Sequence, residues 1–289
     1  MAKSPKTLAL GSALRAARQD KNITLRDFAG QLGIDFGMLS RWENGLRIPK
    51  PENVAQILTS LGVVGEQYKG IMTLVRDTAA DHWTATSSLE IEQLTAAFRS
   101  AEKNSALITS VCPLLIPGLL QIPEYVRAIM VSGTCLTDAE VEERVAARIA
   151  RQDVLVRPIP AGYTVLLGEA ALRQQVGGPA VHLKQLRHLL KMGGRANIDL
   201  RVVTFEESWH SMLDGAFHMF TGDTIETTVV IESREMQTWL HRPEHVNRHR
   251  RAVRDALDIA LSRADSMHFV AGLAHRMEQR FGHLAEVDP

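Results

Sequence analysis

Cysteine is nearly absent. Cys112 and Cys135 are the only two in 289 residues, both in apolar surroundings and with no CxxC spacing. That argues against a CxxC redox or metal motif and points to a reduced cytoplasmic protein with buried thiols. Long apolar runs are missing too. The longest candidate, Ala106–Leu120, falls short of the roughly 18 residues a spanning helix needs and carries Pro113 and Pro117. The first twenty residues contain no continuous apolar segment, so no secretion signal is expected. Net charge is zero, with 33 basic and 33 acidic residues. Hydrophobic residues at 45% and charged ones at 23% are ordinary globular values, neither disordered nor membrane-like.

Catalytic signatures are absent as well. No GxSxG, P-loop or Rossmann glycine pattern occurs. "HLK" at His182–Lys184 matches half of a phosphodiesterase motif, but Leu189 stands where an aspartate is required. His241, His245 and His249 have a metal-like spacing of four, yet Pro243 separates the first from the helix and no HExxH is present. The expectation is a protein that is not an enzyme, with no cofactor and no metal.

What the chain does have is an uneven charge distribution. Residues 1–69 hold ten Lys/Arg against six Asp/Glu, an excess of four that the remainder cancels. A basic head suits a polyanion such as DNA. That head reads as five short helices. Leu8, Leu10, Leu14 and Ala17 recur at helical spacing in the first, through about Gln19. Thr24 and Asp27 form a short capping box for the second, whose apolar residues are Leu25, Phe28, Ala29 and Leu32. Gly33 ends it, Asp35 caps the third, and Gly45 follows as a terminating glycine. A Pro-rich loop leads to a fourth helix beginning near Pro51, and a fifth runs from about Val64 to Asp77.

Two short helices joined by a glycine turn are the helix-turn-helix pattern. "TLRDFAGQLGIDFGMLSRWENGLRIP" resembles the Xre family of lambda-repressor-like DNA-binding domains through Ala29, Gly33, Ile34, Ser40, Arg41, Trp42, Glu43, Gly45 and Pro49, over about residues 8–62. The resemblance implies that the third helix enters the major groove and presents Phe36, Gly37, Ser40 and Arg41 at its outward N-terminal positions. Arg41 is the candidate for a bidentate guanine contact, Ser40 for a base or phosphate, and Phe36 for a thymine methyl. Gly37 carries no side chain to read a base. Thr24, Arg26, Asn44, Arg47 and Lys50 are candidate phosphate contacts. Leu25 stands where the family often has a phosphate-bonding glutamine. Glu43 is expected to pair within the motif. One small head makes few contacts, so a homodimer on two half-sites is expected, with its interface mostly in the rest of the chain.

After a polar stretch at Asp77–Glu90, residues 79–105 read as a linker or connecting helix and 106–289 as a second domain. Ala106–Val111 is strand-like, a helix starts at Pro123, and Thr137 caps another with Glu140 at the capping-box position. Tyr163–Glu169, Ile198–Phe205, Gly215–Gly222 and Thr227–Ser233 read as strands, with an amphipathic helix over Pro179–Met192 and two C-terminal helices from Pro243 and Asp265. Three of the four strands are consecutive. The expected fold is therefore an all-α helix-turn-helix domain, residues 1–78, followed by a mixed α+β domain with a mainly antiparallel sheet.

The second domain resembles the C-terminal domain fused to Xre heads in antitoxin-like actinobacterial regulators. The resemblance rests on Pro117–Gln121 and Pro123–Tyr125, on Arg144, Arg148, Arg151 and Gln152, and on Glu169, Leu172, Arg173 and Gly177. Gln185, Leu186, "GAFHMF", "VVIES" and a late "ALS" extend it over about Ile108–Ser266. It implies a transcriptional regulator, by family habit a repressor, and a small acidic protein partner encoded next door. A small-molecule effector is the other candidate. Arg144, Arg148 and Arg151 are spaced i, i+4, i+7 and share a helix face suited to an anion or acidic partner. The same spacing suits a solvated face paired with Glu140 and with Glu169 or Asp153. In "PLLIPGLLQIPEYV", Leu114, Leu115, Ile116, Leu119 and Leu120 are expected mostly in the core. Gln121 and Tyr125 are polar groups in an apolar wall, the makeup of a binding pocket or partner groove.

Overall fold

The computed structural model describes residues 5–76, 82–84, 88–133, 136–223, 225–233 and 236–285. Cys135 and most of the polar stretch at 77–90 lie outside them. The chain forms two compact units that do not follow chain order. The first is Met1–Ala106 with Met219–Asn247, and the second is Leu107–His218 with Arg248–Pro289.

In the first unit, five helices make the head: α1 (Pro5–Gln19), α2 (Leu25–Leu32), α3 (Phe36–Glu43), α4 (Pro51–Ser60) and α5 (Gly65–Arg76). Thr24 caps α2 by accepting from the Asp27 amide at 3.2 Å, and Asp35 caps α3 by accepting from Met38 at 2.9 Å. Gly33 takes φ +65° at the end of α2, which only glycine adopts without cost. The head's core is built from Leu8, Leu10, Leu14, Phe28, Leu39, Trp42, Val54, Ile57 and Leu58. Gly11 brings α1 against the end of α3. A Cβ there would lie 2.7 Å from the Trp42 carbonyl oxygen and 2.8 Å from that of Glu43. α6 (Ser88–Asn104), the expected connecting helix, lies along α1.

The unit also holds strands β1 (His82–Thr84), β6 (Ile225–Glu232) and β7 (Gln237–Leu240), joined by antiparallel ladders β1–β7 and β6–β7, with β5 (Phe217–Gly222) next to β6. Residue patterns carried no separate signal for β1 and β7, which are only three and four residues long. Phe98 on α6 meets Phe220 edge-to-face at 5.0 Å and Trp239 at 6.4 Å, an aromatic contact between helix and strands.

The second unit is built on three parallel strands, β2 (Leu107–Cys112), β3 (Gly162–Gly168) and β4 (Ile198–Val203). Their register aligns Cys112 with Leu167 and Gly168 with Val203, so the three C-terminal ends lie together. Parallel neighbours need long crossovers. Between β2 and β3 run α7 (Pro123–Gly133), α8 (Asp138–Ala150) and α9 (Asp153–Val156). Between β3 and β4 run α10 (Glu169–Arg173) and α11 (Pro179–Gly193). The helices α12 (Pro243–Ile259) and α13 (Arg263–Ala285) complete the chain. Thr137 and Glu140 form the expected capping box of α8.

The expected fold class stands: a helical head followed by a C-terminal region of helices and six strands, β2–β7, mixed and largely antiparallel. The parallel ladders are the part that residue patterns did not distinguish. β4 shows how its remaining edge is covered. Val202 donates its amide to Ser266 Oγ at 3.0 Å and accepts from the Leu261 amide at 2.9 Å. The "ALS" segment between α12 and α13 thus protects a strand that would otherwise present open hydrogen-bonding groups.

Candidate nucleic-acid interface and the C-terminal signature

α3 divides into two faces. Leu39, Trp42 and Glu43 are buried against the head, which leaves Phe36 and Arg41 exposed and Gly37 and Ser40 half-buried. Glu43 is the electrostatic pin. Its carboxylate takes two parallel 2.7 Å hydrogen bonds from Arg18 of α1, and Arg18 also donates to the Ile23 carbonyl at 2.6 Å. A bidentate pair of this kind fixes orientation as well as distance. Arg15 adds a 3.1 Å bond to the Glu43 carbonyl and a bond to Asn44 Oδ1. The internal role expected for Glu43 is the one it has.

The candidate DNA contacts surround the exposed face. Arg26 of α2 lies over the Phe36 ring, 5.9 Å from its centroid, linking the two helices at the reading end. The Arg41 guanidinium lies 3.7 Å from the Asp35 carboxylate, with both side chains at least half exposed, so the pair is weak and Arg41 is available. Gly37 gives them room. A Cβ at that position would sit 3.0 Å from Asp35 Oδ1 and 3.3 Å from an Arg41 nitrogen. Asn44 is more committed than its composition suggests: its amide nitrogen donates to the Ser40 carbonyl at 2.8 Å and its oxygen accepts from Arg15. Thr24 is held by Asp27, while Arg47 and Lys50 are exposed beyond α3, Lys50 at the N-terminus of α4.

In the second unit, the signature residues converge on one broken piece of backbone. From Pro113 to Ile122 the chain has no strand and only one 3-10 turn, Gly118–Leu120, yet it runs through the core. Its polar groups cannot reach water and must find partners. Side chains supply them. Gln121 Nε2 donates to the Ile116 carbonyl at 2.7 Å, Gln152 Nε2 to the Gln121 carbonyl at 2.6 Å, and Gln185 Nε2 to the Leu120 carbonyl at 2.7 Å. The Ile122 amide donates to Gln185 Oε1 at 2.8 Å, and Arg148 donates to Gln121 Oε1 at 3.2 Å. Arg148 and Arg151 lie over Gly118, about one van der Waals contact from where a side chain would begin.

The seven residues expected to receive a ligand or partner therefore differ in setting. Gln121 is 4% exposed and Tyr125 0%, and burial pushes the Tyr125 phenol above its usual range. Arg148, Arg151 and Gln152 are half-buried on the same segment, and Arg144 is exposed one turn earlier. Glu169 is buried at the head of α10, accepting from Arg173 and from the Phe205 amide at 2.9 Å. It is thus tied to the loop after β4. Leu114 and Leu115 correct an expectation of core burial. They are 61% and 48% exposed, while Ile116, Leu119 and Leu120 turn in, so three of the five are core.

Gln185 went unrecognised as a central residue, although its position held a clue. Residues 182, 185, 186 and 189 share the buried face of α11, so a glutamine there needs buried partners. His182, half of the apparent phosphodiesterase motif, is on that face too, with Nε2 against the Leu172 carbonyl at 2.9 Å, and burial lowers its pKa. Among the described residues no group of three metal-ligating side chains comes together, and His249 stacks edge-on against Phe217 at 4.8 Å. No helix of the described residues is long and apolar enough to cross a membrane.

A family model described as "Helix-turn-helix" matches residues 14–68, and one described as "Domain of unknown function (DUF5753)" matches residues 95–272. No curated protein and no solved structure matches the chain.

Proposed function

The chain belongs to the DUF5753 family and carries an Xre-like helix-turn-helix head, which makes it a DNA-binding regulator; from that premise we propose that it is a sequence-specific cytoplasmic repressor of the actinobacterial, antitoxin-like type. It binds its operator as a homodimer, and the C-terminal domain dimerises and receives the signal. The observation that carries the DNA-reading part is the division of α3: one face pinned through Leu39, Trp42 and the Arg18–Glu43 pair, the other presenting Phe36, Ser40 and Arg41. A helix so fixed holds its reading side chains in place before DNA arrives. Arg41 reads a guanine, and Thr24, Arg26, Arg47 and Lys50 hold the backbone.

The test is Arg41→Ala. Binding to the selected operator should weaken by about 1–3 kcal/mol while binding to random duplex changes little. Equal loss on both would reduce Arg41 to a phosphate contact.

A second reading makes the C-terminal domain a receptor for a small acidic protein, with DNA binding serving autoregulation. Two observations favour a macromolecule over a small molecule: Gln121 and Tyr125 are packed and bonded inward, and the apolar part of the signature that remains free, Leu114 and Leu115, faces outward. Arg144, beside Arg148 and Arg151, supplies positive charge for an acidic partner. Native pull-down with mass spectrometry separates the readings. A stoichiometric small protein supports the antitoxin-like reading, and a bound metabolite supports effector sensing.

A further inference from the structure

The loop between β4 and β5 is apolar where it meets solvent. Within nine residues it carries Phe205, Trp209 and Leu213, which are 65%, 72% and 60% exposed. Its course is fixed by the strands. It leaves Val203 at the C-terminal end of β4 and reaches β5, whose His218 bonds Ser110 of β2 at 2.8 Å. In the strand order β5-β2-β3-β4, that path crosses the C-terminal end of the parallel ladders. The exposed Leu114 and Leu115 follow β2 at the same end. The loop is also pinned. The Phe205 amide donates to the Glu169 carboxylate at 2.9 Å, and Ser211 Oγ donates to the Ala252 carbonyl of α12 at 3.1 Å. Met212 between them is fully buried. An apolar surface held in place before a partner arrives loses little order on binding.

We propose that this end of the parallel strands docks a second copy of the chain, with Trp209 as the central anchor. This rests on the homodimer reading above and gives it a surface. Three observations select a second copy. The first is area. Phe205, Trp209, Leu213, Leu114 and Leu115 together expose on the order of 600 Å², the upper end of what a monomer shows in one patch. A stable dimer buries about 800 Å² per partner, so these five side chains supply most of it. The second is charge. The loop carries exposed Glu206, Glu207 and Asp214, and α12 around Ala252 carries exposed Arg248, Arg251 and Asp255. A rim of both signs can meet itself about a two-fold axis, as an isologous contact requires. A rim of one sign would favour an oppositely charged partner instead. The third is residue type. Tryptophan and phenylalanine anchor the centres of protein interfaces. DNA phosphates and an anionic membrane surface would both be repelled by Glu206 and Glu207 beside Phe205.

The experiment follows the mass of the full chain by sedimentation equilibrium over a concentration series. A Trp209→Ala/Leu213→Ala variant and a Trp209→Phe variant are measured beside it. The wild type should be a dimer. The double variant should weaken self-association by about a hundredfold or more, because each substitution acts twice in an isologous contact. Trp209→Phe should keep most of the association. Both replaced side chains are exposed, so the far-ultraviolet circular dichroism spectrum should not change, which separates lost docking from lost fold. Should the double variant lose that spectrum, Phe205→Ala decides in its place, and an unchanged dimer there overturns the proposal. If the wild type and a folded double variant dimerise equally, this surface is refuted and the homodimer reading stands. If the wild type is a monomer at every concentration, both fail. If the double variant keeps the dimer but loses a co-purifying protein, the loop belongs to that protein and the proposal is overturned.

Discussion

The head and the C-terminal domain treat polar residues in opposite ways. In the head, the side chains named for function stay at the surface, and the buried polar pair Arg18–Glu43 exists to hold them there. In the second unit, Gln121, Gln152 and Gln185 turn inward and complete a backbone that prolines have broken. A recognisable signature can therefore mean two things. In α3 it leaves Phe36 and Arg41 at the surface, on the face proposed to read DNA. In Pro113–Tyr125 much of it marks the repair of buried main chain, and the surface available to a partner is the remainder: Leu114, Leu115 and Arg144.

That contrast can be broken by substitution, and the largest effect should come from the head. Glu43→Ala removes one partner of a buried bidentate pair and leaves Arg18 uncompensated. It should cost about 3–5 kcal/mol, seen as a lost or strongly lowered melting transition of the head. Gln185→Ala should follow at about 2–3 kcal/mol, since it strands both the Leu120 carbonyl and the Ile122 amide in the core. If Gln185→Ala melts like the wild type but abolishes partner or effector binding, Gln185 is a ligand residue and the contrast fails. Smaller and equal effects are expected from the caps. Thr24→Ala in the head and Thr137→Ala in the second unit should each cost about 1 kcal/mol in chemical denaturation.

The gentlest probe is pH. Burial depresses the pKa of His182 first through desolvation, and His188 in the same way with help from Lys191. Both are neutral in the folded chain at a pH where the unfolded chain already binds protons. Their contribution is present above the ordinary histidine range and is lost as pH falls through it. Denaturant midpoints should therefore decline from pH 7.5 toward acid, and His182→Gln should flatten that decline.

Much of the head was legible because its signals are local. Thr24–Asp27, Gly33, Asp35 and Gly45 act within a few residues of themselves, and each stands where capping chemistry placed it. The second unit was legible in its elements and less so in its assembly. β2, β3 and β4 could be placed along the chain, but strand direction depends on crossovers through α7–α11 that no residue pattern encodes. The compact units were hidden for the same reason. Residues 219–247 join the first unit although the C-terminal matching region contains them. Leu114 and Leu115 are exposed although their neighbours Ile116, Leu119 and Leu120 are core, because hydrophobicity alone does not say which way a side chain points where the chain follows no helix or strand period.

Whether the head reads sequence is decided by selection from a random duplex library with the full-length chain. A motif with two related half-sites about one helical turn apart should be enriched, and the enrichment should be lost when Arg41 is replaced by alanine. A library that emerges without any enriched motif, from a chain that still binds DNA, would contradict it.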